Sequence, residues 1–362
     1  MNILLTGGAG YIGSHVALAL LDQKHEVTII DSLVTSNSKL IPDKARFIKC
    51  DIADKEKISE VLKNKTFDVV MHFAGLTRVG ESVNSPDKYF ENNYEKAKIF
   101  FNTCVKFGLK KVIFSSTGSV YGNVIHKKNI LESQTPKPTN PYSESKFKLE
   151  QFLIEQSEKK KITATILRYF NVAGADKKMR SGLLNNPDNL IKVVCEVANN
   201  KRDKIIINGK DYDTKDGTTI RDFIHVSDLV EMHLLAAKNL IKEDSTEIYN
   251  CGYGHGYSIK DIIEETNNIL NKKINYVYGP RRKGDAVYSV ADNMKFINKF
   301  NIKNTDIHVL ERPSPGLGTP TKNWKLVINP AMKKRSRANK IAAENQKNFY
   351  ILVVVKYTAR LT

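Results

Sequence analysis

The sequence predicts an α/β fold: a doubly wound parallel sheet followed by a smaller mixed α/β substrate-binding lobe. Three observations carry this reading. Short apolar runs alternate with segments of helical periodicity through the first 170 residues. Glycines mark the first strand-to-helix turn, where a buried strand must hand over to a helix. Acidic, small or hydroxyl residues stand at the ends of successive apolar runs, where such a sheet gathers its ligands. At 362 residues, 41% of them hydrophobic, the chain has room for two units and enough apolar surface to bury their cores.

Asn2 to Thr6 reads as a buried strand, Tyr11 to Leu21 as a helix, and Glu26 to Ile30 as a second strand ending at Asp31. Between strand and helix lie Gly7, Gly10 and Gly13, spaced for a tight turn and close backbone approach. The helix that follows presents unpaired N–H groups at Tyr11 and Ile12 to a pyrophosphate. Asp31 lies 18 residues beyond Gly13, about where a carboxylate accepts from an adenosine ribose and repels a 2′-phosphate, which favours NAD over NADP. Together these make the first unit Rossmann-type. Ala45 to Cys50 is a strand ending at Asp51, on the adenine side, and Lys55 to Leu62 is helical. Phe67 to Phe73 is a strand opening into Ala74 and Gly75, whose small side chains let a cofactor approach. Asp87 to Phe107 reads as one long helix, and Lys111 to Ser115 as a strand closing on Ser115-Ser116-Thr117. A polar loop with Pro136 and Pro138 leads to Asn140 as cap, Pro141 at the first helical position, and a helix carrying Tyr142 and Lys146. Thr163 to Tyr169 is the next strand, running into Phe170-Asn171. The regular alternation then loosens, so residues 1–170 are expected to form the dinucleotide unit and 171–304 the substrate lobe. Residues 312–320 read as a linker inside an atypical basic C-terminal segment, 305–362.

Tyr142 and Lys146 are four apart, one helical turn, so their side chains share a face. A phenol titrates near pH ~10 and is a poor base at neutrality. Lowering it by about three units takes roughly 4 kcal/mol, which an adjacent ammonium and a bound cofactor's positive charge can supply. Tyr94 and Lys98 repeat the spacing, but mid-helix and away from any strand end, so that pair is read as structural.

The formal charge of +18 invites a nucleic-acid reading. The excess is spread along the chain and peaks at Lys333-Lys-Arg-Ser-Arg337, with no interleaved aromatic platform, so no specific nucleic-acid footprint is expected. The four cysteines, Cys50, Cys104, Cys195 and Cys251, form no Cys-x-x-Cys pair, and the eight histidines show no ligand spacing. That argues against a disulfide framework and a metal site, and suits a reducing cytoplasm. The apolar start, Ile3 to Leu5, meets glycines without a basic stretch, and the run Tyr350 to Val355 is too short to span a bilayer; neither secretion nor membrane insertion is expected.

Gly7-x-x-Gly-x-x-Gly13, Ser115-Ser-Thr117 and Tyr142-x-x-x-Lys146 resemble an extended short-chain dehydrogenase/reductase. Six longer stretches narrow it: His72-Phe-Ala-Gly75, Gly80-Glu-Ser-Val83, Leu167-Arg-Tyr-Phe-Asn171, Asp216-Gly-Thr218, Arg221-Asp-Phe-Ile-His-Val226 and Pro280-Arg-Arg-Lys-Gly-Asp285. Together, over residues 1–304, they resemble the UDP-hexose 4-epimerases. The resemblance implies a transient oxidation at C4 of a UDP-sugar by a tightly held NAD, with Tyr142 as base then acid, Thr117 bonded to the same oxygen, and Lys146 tuning the phenol and holding a ribose. It further implies NAD contacts at Asp51, Ile52, Phe73, Ala74, Gly75, Asn92, Ser115 and Tyr169. UDP-sugar contacts are implied at Asn171, Asn189, Leu190, Asn208, Arg221, Arg282, Asp285 and Ser289, the two arginines offering planar forks to a diphosphate. A homodimer is implied by the same analogy.

Four positions depart from the family pattern. Thr117 replaces a common serine and keeps the hydroxyl; Thr77 stands where lysine is common, removing one cofactor contact. Ser289 stands where members restricted to non-acetylated sugars carry tyrosine, so UDP-GlcNAc and UDP-GalNAc are expected to be accepted beside UDP-Glc and UDP-Gal, unless neighbouring Tyr288 refills the space. Beyond about Asp306 the match ends. The rival enzyme on this scaffold is a sugar-nucleotide 4,6-dehydratase, which needs an acid–base pair after the threonine where this chain has Gly118-Ser119. A dehydrogenase exchanging its cofactor, and a non-catalytic NAD- or nucleic-acid-binding protein, complete the alternatives.

Overall fold

The computed structural model describes residues 1–124, 128–184 and 188–302. In chain order it begins with β1 (Asn2–Thr6), α1 (Tyr11–Asp22), β2 (Glu26–Asp31), β3 (Arg46–Lys49), α2 (Lys55–Asn64) and β4 (Val69–His72). Next come α3 (Val79–Asn84), α4 (Pro86–Phe90), α5 (Lys96–Lys106), β5 (Lys111–Thr117), α6 (Pro141–Glu158) and β6 (Thr163–Tyr169). The remainder runs β7 (Asn171–Ala173), α7 (Leu190–Ala198), β8 (Ile205–Asn208), β9 (Ile220–His225), α8 (Val226–Lys242) and β10 (Glu247–Cys251). It closes with β11 (Gly256–Ser258), α9 (Ile259–Leu270), β12 (Tyr276–Gly279), β13 (Tyr288–Ser289) and α10 (Met294–Lys299).

Seven strands form one parallel sheet in the order β10-β6-β5-β4-β1-β2-β3. Their apolar runs are buried on both faces, as a sheet covered by helices on each side requires. Val16 and Leu20 of α1 share one core with Leu229 and Leu234 of α8. Ile58 of α2, Phe100 and Phe101 of α5, and Leu149 and Leu153 of α6 fill the other. The strand order reverses between β1 and β4, which opens a crevice at the carboxyl ends of the strands. A second sheet centres on β9, which pairs with β7, β11 and β13, and β8 pairs with β12. Their own core holds Ile191, Val194, Ile205, Ile207, Phe223 and Ile262.

Two expectations are corrected. The helix expected unbroken from Asp87 to Phe107 is helical from Pro86 to Lys106, but it widens at Glu91–Glu95 into a π-type turn. The extra residue re-aims Asn92 and Asn93, and hydrogen bonds at Asn93 hold the turn open. A contiguous division at residue 170 does not describe the sheets, because β10 returns to pair with β6, α8 packs on the large sheet and α10 covers β10. Leu229, Leu234 and Tyr249 share one buried core with Ile3, Val16 and Leu20 of the first unit, so elements beyond residue 170 complete the large sheet. The basic segment 305–362 lies outside the described residues. Among the described residues, no helix is long and apolar enough to cross a membrane, and no cluster of three or more His, Cys, Asp or Glu could hold a metal ion.

Candidate active site

A cleft of about 680 Å³ runs from the N-terminus of α1, past the ends of β5 and β6, to β8, β9 and β13. A smaller cavity of about 100 Å³ adjoins it beside the ends of β2 and β3. Every site residue named from the sequence lines one of the two.

At the near end, Gly7 has φ +70°, and a Cβ there would stand 2.5 Å from the Ala74 nitrogen. A Cβ on Gly13 would stand 2.4 Å from the Gly7 carbonyl oxygen. Only glycine lets the turn lie this close to β4 and the helix, so Gly7, Gly10, Tyr11 and Ile12 form an open cradle at the cleft wall. Asp31 ends β2 as a hub: it accepts from Ala9 N–H at 3.0 Å, Leu33 N–H at 2.9 Å and the Ser36 hydroxyl at 2.6 Å. Asp51 pairs with Lys96 at 2.6 Å, and Asp51, Ile52, Ala74 and Asn92 line the smaller cavity.

α6 starts as its sequence requires, with the Asn140 side chain accepting from Ser143 N–H at 2.9 Å and Pro141 in the first turn. That places Tyr142 and Lys146 side by side, 9% and 4% exposed. The Tyr142 hydroxyl neighbours Thr117 at the end of β5, whose side chain favours the phenolate. The Lys146 ammonium donates to the Ser115 carbonyl at 3.0 Å and lies 5.0 Å from the Phe114 ring centre. Burial pushes the Tyr142 phenol above its usual value, and neighbouring Thr117 only partly opposes it. Burial also presses Lys146 down to about 8, against the pull of Glu150. Burial is thus the largest influence on the phenol, and the lowering by Lys146 is expected only together with a bound cofactor's positive charge. The two groups' proton affinities are thereby driven apart, the phenol holding its proton more tightly and the amine less tightly than in water.

Phe73 and Tyr169 flank this centre, and both rings rest near His233 of α8, at 5.1 and 5.9 Å. Gly75 lies against Lys146: a Cβ there would stand 3.2 Å from the ammonium. Tyr94 and Lys98 line neither cavity; Lys98 sits 4.6 Å over the Tyr94 ring and pairs with Glu95.

At the far end, Asn171 begins β7, while Asn189 caps α7 by accepting from Lys192 N–H at 3.2 Å and donates to the Val172 carbonyl at 3.2 Å. Leu190 follows it, and Asn208 ends β8. Arg221 on β9 stands 3.7 Å from Asp285, and burial presses its guanidinium below the usual value against that carboxylate's pull. Arg282 and Ser289 line the same end. Tyr288 turns away, its hydroxyl donating to Asn129 at 3.1 Å, so it does not refill the space beside Ser289.

Three residues at the site escaped sequence reasoning. Asn93 accepts from Leu76 N–H at 2.7 Å, donates to the Leu76 carbonyl at 3.0 Å, and donates to the Ser145 hydroxyl at 3.1 Å. It thereby joins the loop after β4 to the turn that carries Tyr142 and Lys146. Glu150, one turn beyond Lys146, is fully buried and binds Arg168 of β6 and the Ser116 hydroxyl. The spacing 142, 146, 150 was the signal for Glu150; for Asn93 only the Asn-Asn doublet pointed inward. The third, Arg202, lines the cleft beyond α7, and nothing in its sequence setting marked it.

A cradle at a helix N-terminus, an acid at the end of β2, and a buried Tyr–Lys pair beside a strand-end hydroxyl define a dinucleotide-dependent enzyme of the short-chain dehydrogenase/reductase class. The NAD dependent epimerase/dehydratase family matches residues 3–252. The UDP-glucose 4-epimerase of Lactobacillus helveticus is 39% identical over 297 residues, 82% of this chain and 89% of that one. The UDP-glucose 4-epimerase of Stenotrophomonas maltophila, solved with NAD and formylated UDP-arabinopyranose, superposes with a TM-score of 0.79 at 32% identity, covering 85% of this chain and 95% of its own. The UDP-Glc/GlcNAc 4-epimerase of Campylobacter jejuni superposes with a TM-score of 0.70 at 38% identity, covering 83% and 92%. The chain belongs to the UDP-glucose 4-epimerase family.

Proposed function

We propose that the protein interconverts UDP-hexoses by NAD-dependent epimerisation at C4. The observation that carries this is the buried Tyr142 beside Thr117 and Lys146, in a cleft whose other end holds Arg221 and Arg282. The glycine cradle fits a dinucleotide: its Cβ-free surface leaves room for a pyrophosphate on the N–H groups of Tyr11 and Ile12. Asp31, Asp51, Ile52 and Asn92 would hold the adenosine half, and Phe73, Ala74, Gly75, Ser115, Lys146 and Tyr169 the other. Bound there, NAD supplies a hydride acceptor and donor, and a cationic ring.

The chain's own groups handle the proton and the sugar. Tyr142 takes the proton from the C4 hydroxyl and later returns it to the oxygen of the 4-keto sugar, while Thr117 holds that oxygen. Lys146, fixed by the Ser115 carbonyl, stabilises the phenolate. Arg221 and Arg282 grip the diphosphate, and Asp285 orients Arg221, so the hexose can turn over without leaving. Asn171, Asn189, Leu190 and Asn208 complete the nucleotide-sugar wall. With Tyr288 held by Asn129, the space at Ser289 accommodates a 2-N-acetyl group, and the proposal includes UDP-GlcNAc and UDP-GalNAc. The dehydratase alternative loses support: Gly118 follows Thr117, and a Cβ there would meet the Phe170 ring at 2.9 Å, leaving no place for an acid.

The test is to heat-denature the purified protein, measure released NAD, and assay the four UDP-sugars. Stoichiometric NAD with turnover of UDP-galactose and UDP-GalNAc, no cofactor having been added, is the expected result. Turnover that requires added NAD and accumulates NADH would instead make the protein an exchanging dehydrogenase. A homodimer is proposed on the family analogy and is checked by sedimentation equilibrium.

A further inference from the structure

The loop that leads from β7 toward α7 is fastened along the dinucleotide helix by contacts the chemistry does not use. Tyr11 donates from its hydroxyl to the Gly174 carbonyl at 2.7 Å. Ser14 and Ser181, both buried, share a hydrogen bond at 2.6 Å, and His15 Nδ1 lies 3.2 Å from the same Ser181 hydroxyl. Near the other end of α1, Asp22 receives Arg180 at 3.0 Å and Lys178 at 3.3 Å. Residues 11, 14, 15 and 22 recur at three-, four- and seven-residue steps, so the anchors form one stripe down the helix.

The loop is also tied to itself. Asp176, 9% exposed, takes Arg180 Nε at 2.9 Å and Nη2 at 3.0 Å, and accepts from the backbone N–H of Lys178 and Arg180. It therefore presents a preformed surface to α1 rather than a slack chain. Directly beyond the anchors, Leu183 and Leu184 line the cleft shared with Gly10, Tyr11 and Ile12. A dinucleotide seated on the helix N-terminus therefore has this wall beside it.

We propose that residues 174–184 are a clasp that retains the dinucleotide between turnovers, with Ser181 and Asp22 as its positioning residues. The proposal rests on the NAD-dependent epimerase reading. An oxidation and a reduction that cancel on one substrate need the dinucleotide to stay through both. Two kinds of anchor act together, a buried hydroxyl pair insensitive to salt and a half-exposed ion cluster that salt screens.

Ser181→Ala, Asp22→Asn and the double variant are purified as full chains without added NAD, alongside Lys299→Gln, which removes an exposed ion pair with Glu243 elsewhere. The readout is the rate at which bound NAD is lost after dilution, with melting temperature measured in parallel. Loss is expected to be about five- to tenfold faster in Ser181→Ala, the equivalent of one net hydrogen bond. It should be a few-fold faster in Asp22→Asn, and wild type in high salt should behave like Asp22→Asn. Unchanged loss rates in variants and in high salt, with wild type carrying NAD, would overturn the clasp. So would an equal acceleration in Lys299→Gln, which marks general loosening. If Ser181→Ala fails to fold, Asp22→Asn and the salt series decide the matter. Wild type that neither carries nor takes up NAD would overturn the epimerase reading itself.

Discussion

Glu150→Gln probes the buried ion pair that seats the catalytic helix. Glu150 is fully buried and Arg168 is 3% exposed, so solvent does not screen them. The carboxylate receives Arg168 Nε at 3.0 and 3.2 Å and Nη2 at 2.5 Å, together with the Ser116 hydroxyl. Glutamine keeps one acceptor oxygen and turns an N–H₂ toward the guanidinium, leaving a buried cation half-paired. Breaking a buried pair from one side costs about 3–5 kcal/mol, a large share of a domain's net ~5–15 kcal/mol. Replacing both partners by apolar groups of similar volume, as in Glu150→Leu with Arg168→Met, is roughly neutral by the same reasoning. Urea unfolding followed by far-ultraviolet circular dichroism measures both, and steady-state turnover reads the effect on Ser116, which stands between Ser115 and Thr117. A Glu150→Gln protein within about 1 kcal/mol of wild type, the range of an exposed pair, refutes the reasoning. So does a double variant no more stable than the single one.

Three further outcomes follow from the structure. Tyr142→Phe keeps the ring but removes the hydroxyl beside Thr117, so kcat should fall by about 10²–10⁴ while bound NAD and UDP affinity stay unchanged; retained kcat would remove Tyr142 from proton transfer. Ser289→Tyr should reduce turnover of UDP-GalNAc on the order of 10²-fold and leave UDP-galactose within a few-fold, measured as kcat/KM for each sugar; equal losses on both would place the 2-substituent elsewhere. Burial pushes Asp228 up to about 7, its bond from Tyr253 opposing, so the folded state holds this proton more tightly than the unfolded chain does. Its contribution to stability is present below the unfolded value of about 4 and is lost as pH rises through 7. Asp228→Asn should therefore gain on wild type between pH 5 and 8 by as much as ~3 kcal/mol, read from paired melting curves at the two pH values; a constant gap contradicts the assignment.

How much of this was legible beforehand depended on how local the cause was. Gly7, Gly10 and Gly13 are set by a turn a few residues long, and Tyr142 with Lys146 by one turn of a helix, so spacing together with the adjoining strand ends and Pro141 revealed them and set aside Tyr94 and Lys98. The strands of the parallel sheet were visible because burial on both faces demands continuous apolar runs. The family motifs carried the far end of the cleft, from Asn171 to Ser289, which periodicity could not reach. What the tertiary structure decided came from contacts across the chain. The wide turn that brings Asn93 to Leu76 and Ser145 breaks a helix whose local sequence has no reason to break. The pairing of Glu150 with Arg168 joins a helix to a strand, and β10 rejoins the first sheet from the midst of residues 171–304. Even the opening chemistry changed hands: one-turn spacing put an ammonium beside a phenol, but burial raised the phenol and lowered the amine. Spacing along the chain determines which groups meet, and the dielectric around them, which only the packed fold creates, decides what each does with its proton.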